Sequence, residues 1–164
     1  MARWAIIALM PSTMTMPPEV EILAADVGIW RGTVEVRPTP DGPVQASEGT
    51  LVGRMCGPWL VSDFKNETSG FEGHGVYGWD SVGGSYVGTW VDPMRRSLVL
   101  MRGKWDEATR TMTFVGEMTR PDGSAMRWRE VTERPDEGTR VFRSFVPSSE
   151  GEFEVMTVQY RKLT

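Results

Sequence analysis

From Trp30 onward the chain is broken at short, regular intervals by turn clusters. These are Asp41-Gly42, Cys56-Gly57-Pro58, Ser69-Gly70, Gly83-Gly84, Asp92-Pro93, Pro121-Asp122-Gly123, Pro135-Asp136-Glu137-Gly138 and Glu150-Gly151. Between them lie segments rich in β-branched and aromatic residues. Tight turns join strands that run in opposite directions, so this rhythm predicts an antiparallel meander. Strands are expected at Trp30–Arg37, Val44–Met55, Trp59–Glu67, Phe71–Trp79, Ser85–Val91, Ser97–Trp105, Thr111–Met118, Ala125–Thr132, Thr139–Val146 and Phe153–Arg161. An open sheet of that many strands exposes unpaired edges, and closure into a barrel removes them. A two-sheet sandwich competes. The short links favour an up-and-down path, because Greek-key sandwiches need some long crossings. The expected fold is all-β: an up-and-down antiparallel barrel of about ten strands with one short N-terminal helix.

That helix is read from Glu19 to Ile29, where Val20, Leu23, Ala24 and Val27 recur at helical spacing. Pro18 suits its first turn, Glu19 and Glu21 suit its positive end, and Gly28 is the expected stop. Residues 1–16 read as an extension ahead of a domain spanning 17–164. Their apolar run, Met1 to Met10, is far too short to cross a bilayer, and no small-x-small cleavage site follows. A cytoplasmic protein with no membrane partner is expected. The basic residues are nearly all Arg, with Lys only at Lys65, Lys104 and Lys162, which reads as a GC-rich coding bias of a bacterial source.

Composition excludes several classes of function. A net charge of −4 argues against nucleic acid, which needs a basic face. Cys56 is the sole cysteine and His74 the sole histidine, so a zinc site of the usual His/Cys type is excluded and no metal is expected. No Gly-rich stretch opens a helix or carries the Lys-Ser/Thr of a phosphate loop. Eleven Met and seven Trp suit either the lining of a cavity or a well-filled core.

Strand alternation assigns faces. Met112, Phe114, Gly116 and Met118 should point inward. Met126 and Trp128 share a face with Glu130, opposite Arg127 and Arg129. Phe71, Tyr77 and Trp79 oppose Glu72, His74 and Asp80. Trp59, Trp79, Trp90, Trp128 and Tyr160 either line a cavity or fill the barrel. Arg102 shares a phase with Leu98 and Leu100. Facing inward it would meet a ligand carboxylate or an internal acid such as Glu130, and the strand's outward face is the other reading. Glu130 is a general acid or a polar anchor if it is buried, and an exposed strand end otherwise. His74 lies two residues from Glu72 on one face, as an acid/base pair or as a solvated surface histidine. A haem reading also rests on His74, because some small β-barrels hold haem through one axial histidine.

Phe71-Glu-Gly-His-Gly-Val-Tyr-Gly-Trp-Asp80, followed by Tyr86-Val-Gly-Thr-Trp-Val-Asp92, resembles the bacterial domain-of-unknown-function family fifteen seventy-nine. Gly103-Lys-Trp-Asp106 is similar to its "G-x-[YW]-D" turn, Gly28-Ile-Trp30-Arg-Gly32 to its opening, and Gly151 to Arg161 to its closing strand. The resemblance runs from Glu19 to the C-terminus. It implies a calycin-like barrel, in broad kinship with lipocalins and fatty-acid-binding proteins, and it implies no activity. His74 lies outside the family pattern.

The leading expectation is a barrel that binds an apolar or aromatic small molecule. Trp59, Trp79, Trp90, Met112, Phe114, Met126 and Trp128 would form its walls, with Arg102 or Glu130 as polar anchors. The alternative is a cofactor-free cyclase or isomerase on the same scaffold, with Glu130, His74 or Tyr160 as acid/base groups. A structural or partner-binding domain with a filled interior is a third reading. No cofactor is expected, and a homodimer stays open.

Overall fold

A computed structural model describes residues 16–94, 97–120 and 122–164. After the short helix α1 (Pro18–Ala24) come β1 (Gly28–Val36), β2 (Gln45–Cys56), β3 (Trp59–Asn66), β4 (Glu72–Asp80) and β5 (Ser85–Val91). Then follow β6 (Val99–Asp106), β7 (Thr111–Thr119), β8 (Ala125–Glu133), β9 (Thr139–Ser148) and β10 (Gly151–Lys162). Each strand pairs antiparallel with the next, and β1 pairs with β10 from Trp30↔Lys162 to Val36↔Met156. The ten strands therefore close into an up-and-down barrel with no open edge. The expected fold, an up-and-down antiparallel barrel of about ten strands with one short helix, is the observed one. The extension at 1–15, Arg95, Arg96 and Pro121 lie outside the described residues.

The expected helix is longer than the observed one. It ends at Ala24, and Gly28, at φ 130°, begins β1 instead of capping the helix. Val27 packs against the core from the connecting turn.

Alternation sets the two faces of the wall. In β7, Met112, Phe114 and Gly116 are buried and Met118 packs beside them. In β8, Trp128 and Glu130 are buried while Arg127 is exposed. In β6 the inward set is Val99, Met101 and Gly103. Leu98 and Leu100 are 54% and 63% exposed, so Arg102, in their phase, points outward. The apolar residues of this strand fall on both faces, and alternation alone does not choose between them.

Inward glycines make room for rings. A Cβ at Gly73 would lie 2.1 Å from the Trp90 indole, and one at Gly103 would lie 2.6 Å from the Phe114 ring. Each ring therefore lies flat across a neighbouring backbone, a close approach that only glycine permits.

The helix closes one end of the barrel. Leu23 is 2% exposed and joins Leu60, Tyr86, Met101 and Met112 in the core. Asp26, just beyond the helix, is buried and held by two guanidinium groups. Arg134 Nε donates to Oδ1 at 3.0 Å and Arg134 Nη2 to Oδ2 at 2.8 Å. Arg140 Nη1 lies 3.4 Å from Oδ2. The Trp30 indole N–H donates to the Asp26 carbonyl at 3.1 Å. Burial acts to raise the Asp26 carboxyl, but Arg140 and Arg134 outweigh it and hold the group below its ordinary value of 3.8.

The opposite end carries the β1–β2, β3–β4 and β5–β6 connections. Asn66 shapes the second of these. Its side-chain oxygen accepts from the backbone N–H of Thr68 and Ser69 at 3.0 and 2.9 Å, and its amide donates to Ser47 at 2.9 Å.

Removing one partner of a buried ion pair strands the other charge. Asp26→Ala is expected to lower unfolding free energy by about 3–5 kcal/mol, read by chemical denaturation. Because the folded-state pKa of Asp26 is depressed, its contribution is complete above the ordinary value of 3.8 and is lost as pH falls below it. The stability difference between wild type and Asp26→Asn should therefore shrink on acidification below that value.

Candidate interior ligand site

The interior is divided into two apolar clusters with a cavity of about 630 Å³ against both. Leu23, Leu60, Met112, Phe114 and Trp128 face it from one cluster, and Val34, Leu51, Val158 and Tyr160 from the other. Near the open end it is bounded by Val36, Gln45, Ser47, Thr68, Phe71, Trp90 and Met94. At the closed end it reaches Asp26, Thr132, Arg134 and Arg140. Its size lies in the range of small-molecule sites, roughly 300–1,000 Å³, with mainly apolar walls and a few polar groups.

The polar groups sit at defined heights. Glu130 lies mid-strand, opposite Phe114 on β7 and Ser144 on β9, and is 7% exposed. The Trp128 indole N–H donates to the Ser144 hydroxyl, also buried. Burial pushes the Tyr160 hydroxyl up to about 12, against the lowering effect of Arg140, whose guanidinium carbon lies 5.1 Å from the Tyr160 ring centre. Tyr77 is raised further, first by burial and then by the charge of Glu130. Both phenols therefore stay protonated at neutral pH and act as O–H donors.

The structure brings together Trp90, Met112, Phe114, Trp128, Glu130 and Tyr160 of the expected site residues. Trp90 is further fixed by its indole N–H, which donates to Asp92 at 3.0 Å. Trp79 points inward but packs edge-on against Tyr86 with ring centres 4.9 Å apart, away from the cavity lining. Met126 is half-buried beyond the lining.

Three expected residues lie on the outer face. Trp59 is 42% exposed and lies across Gly78. Arg102 is exposed and contacts Asp80 at 3.4 Å and Ser85 at 3.0 Å. His74 is in the outward phase of β4, and its Nδ1 meets Asp63 on β3 at 2.6 Å, while Glu72 pairs with Lys65. An inward Arg102, a His74–Glu72 pair and a haem held in the cavity by His74 therefore have no counterpart in the geometry. The His74–Asp63 pair lines a depression of the outer wall where both side chains are about half exposed to water. Among the described residues no group of three or more His, Cys, Asp or Glu side chains is placed to hold a metal ion.

Sequence reasoning missed Arg134, Arg140, Asp26 and Tyr77 as interior polar groups. Arg134 and Arg140 flank the Pro135–Gly138 turn, where exposure is the ordinary expectation for arginine. They clamp the buried Asp26 carboxylate from more than a hundred residues away, a contact that leaves no local signal in the sequence.

Fold and site together define a closed β-barrel with a blind interior cavity. The chain belongs to the family described as Protein of unknown function (DUF1579), which matches residues 16–162. Comparison with curated proteins finds no match. Among the described residues no helix is long and apolar enough to cross a membrane.

Ser144→Ala leaves the buried Trp128 indole N–H without that acceptor and should destabilise the protein by about 1–3 kcal/mol in chemical denaturation.

Proposed function

We propose that the protein binds a small molecule in its interior cavity. The carrying observation is the 630 Å³ space itself, bounded by apolar walls from both clusters and by a small polar set at its closed end. A barrel built only for stability gains dispersion energy by filling such a space, and each void left forfeits it. The indoles of Trp90 and Trp128 offer flat faces, and Met112 and Met94 adapt to shape, which suits an aromatic or extended apolar ligand.

A second reading has one observation of its own. Glu130, a buried carboxylate, shares the cavity with Tyr77 and Tyr160. A carboxylate that accepts a proton beside two phenolic donors suits acid/base chemistry without a cofactor, such as a cyclisation or isomerisation. The solvent-exposed free Cys56 fits a reducing compartment, and we place the protein in a bacterial cytoplasm.

Native mass spectrometry of the purified protein should reveal a co-purified small molecule, lost when Ser62→Phe projects a ring into the cavity. A folded wild type that carries nothing, and whose Trp90 and Trp128 fluorescence responds to no apolar probe, would refute binding. Once a ligand is known, Glu130→Gln separates the two readings. A carrier keeps its affinity within about tenfold, whereas an acid/base enzyme loses turnover by about 10²–10⁴-fold at similar affinity.

A further inference from the structure

A buried guanidinium ordinarily places its N–H groups in hydrogen bonds. Arg134 does so, with a two-pronged contact to Asp26. Arg140 is different. Its side chain is nine-tenths buried and lines the cavity, yet only one contact to Asp26, at 3.4 Å, engages it there. Its Nε has no hydrogen-bond partner among the described residues. A buried donor left unmet is expensive, by about 1–3 kcal/mol and more when charged. Two cations face Asp26 at this end, and the other carboxylate of the cavity lining, Glu130, stands at mid-strand.

The neighbouring groups give the site a direction. The Arg140 guanidinium carbon lies 5.1 Å from the Tyr160 ring centre, so a guanidinium and a phenol, both donors, stand together at the closed end. The closed end lies beyond the apolar middle of the cavity, and the β1–β2, β3–β4 and β5–β6 connections ring the opposite end. A ligand that reaches Arg140 goes in polar end first.

We propose that Arg140 is the polar anchor of the cavity, and that the ligand is an amphipathic molecule whose leading carbonyl or carboxylate oxygen accepts from the Arg140 guanidinium. Its apolar body lies along Val34, Phe114, Trp128 and Val158. This assignment rests on the cavity being a binding site. It replaces Arg102, the arginine first expected in this role, with one that faces the interior.

The test uses the full chain and three probes of matched length: decanoic acid, the methyl ketone with the same number of carbons, and n-decane. Binding is read from Trp90 and Trp128 fluorescence. The wild type should prefer the acid or the ketone over the alkane by about tenfold or more, the range of a charged hydrogen bond. Tighter binding of the acid than of the ketone identifies a carboxylate ligand, and parity identifies a carbonyl. Arg140→Met should abolish the preference by weakening the acid and the ketone, with no matching loss for n-decane. Arg140→Lys keeps a positive charge opposite Asp26, so it guards against a variant that fails to fold, and its preference should also fall because the planar fork of guanidinium donors is gone. An alkane bound as tightly as the oxygenated probes, or a preference unchanged in both variants, overturns the anchor while leaving the cavity a binding site. No binding of any probe and no co-purified molecule overturns the binding reading together with the anchor.

Discussion

The width of a β-barrel follows from its strand number, and at eight strands inward side chains just fill the interior. Ten strands enclose a remainder, and much of this structure is a response to that space. Part is filled by rings laid flat over glycines, as Trp90 lies over Gly73 and Phe114 over Gly103. Part is filled by Leu23, which the N-terminal helix inserts at one end. What is left is a cavity against two separate apolar clusters. Had the wall filled itself, the protein would have one continuous core and no interior cavity.

Closing one end with a helix sets an electrostatic problem at the same place. The connection from α1 to β1 carries Asp26 into a buried position, where an unpaired carboxylate would be heavily penalised. Arg134 and Arg140 answer it from either side of the β8–β9 turn, so the first connection of the chain is tied to the eighth and ninth strands. The arginines are steadied in turn by rings, Arg134 over Trp105 at 5.0 Å and Arg140 over Tyr160 at 5.1 Å. Buried ion clusters often add little net stability compared with apolar packing. Here the cluster also fixes where the helix sits, and it leaves a cation facing the cavity.

The architecture was legible in the sequence because its signals are local. Turn dipeptides, strand alternation and short links each act over a few residues, and they specified the strands, the barrel and the inward faces of β7 and β8. The helix end was misread because Gly28 carries the same signal whether it stops a helix or starts a strand in a left-handed conformation. The site was legible in part. Trp90, Met112, Phe114, Trp128, Glu130 and Tyr160 follow from alternation around the barrel. Arg102 did not, because β6 is apolar on both faces and its register is set by its neighbours. Asp26, Arg134 and Arg140 did not, because what buries them is a contact across 108 residues of sequence separation that no local pattern announces.

The distribution of polar groups between the two faces of the wall bears most directly on function. Outside, the ion pairs are solvated and interchangeable: Arg31–Glu48, Lys65–Glu72, Arg102–Asp80 and His74–Asp63 all exchange with water, and such pairs contribute little. Inside, Glu130, Tyr77, Tyr160 and Arg140 share one low-dielectric space in which each acts on the others. A pure carrier of hydrocarbon has no use for a charged set at that depth, since apolar replacements would pack as well and would bury no charge. The interior is instead polarised along its length, with apolar walls in the middle and donors at the closed end. On the proposed binding reading, a guest that matches it is itself asymmetric, and that asymmetry, not the barrel as such, narrows the ligand class, because a barrel of this shape is compatible with many functions.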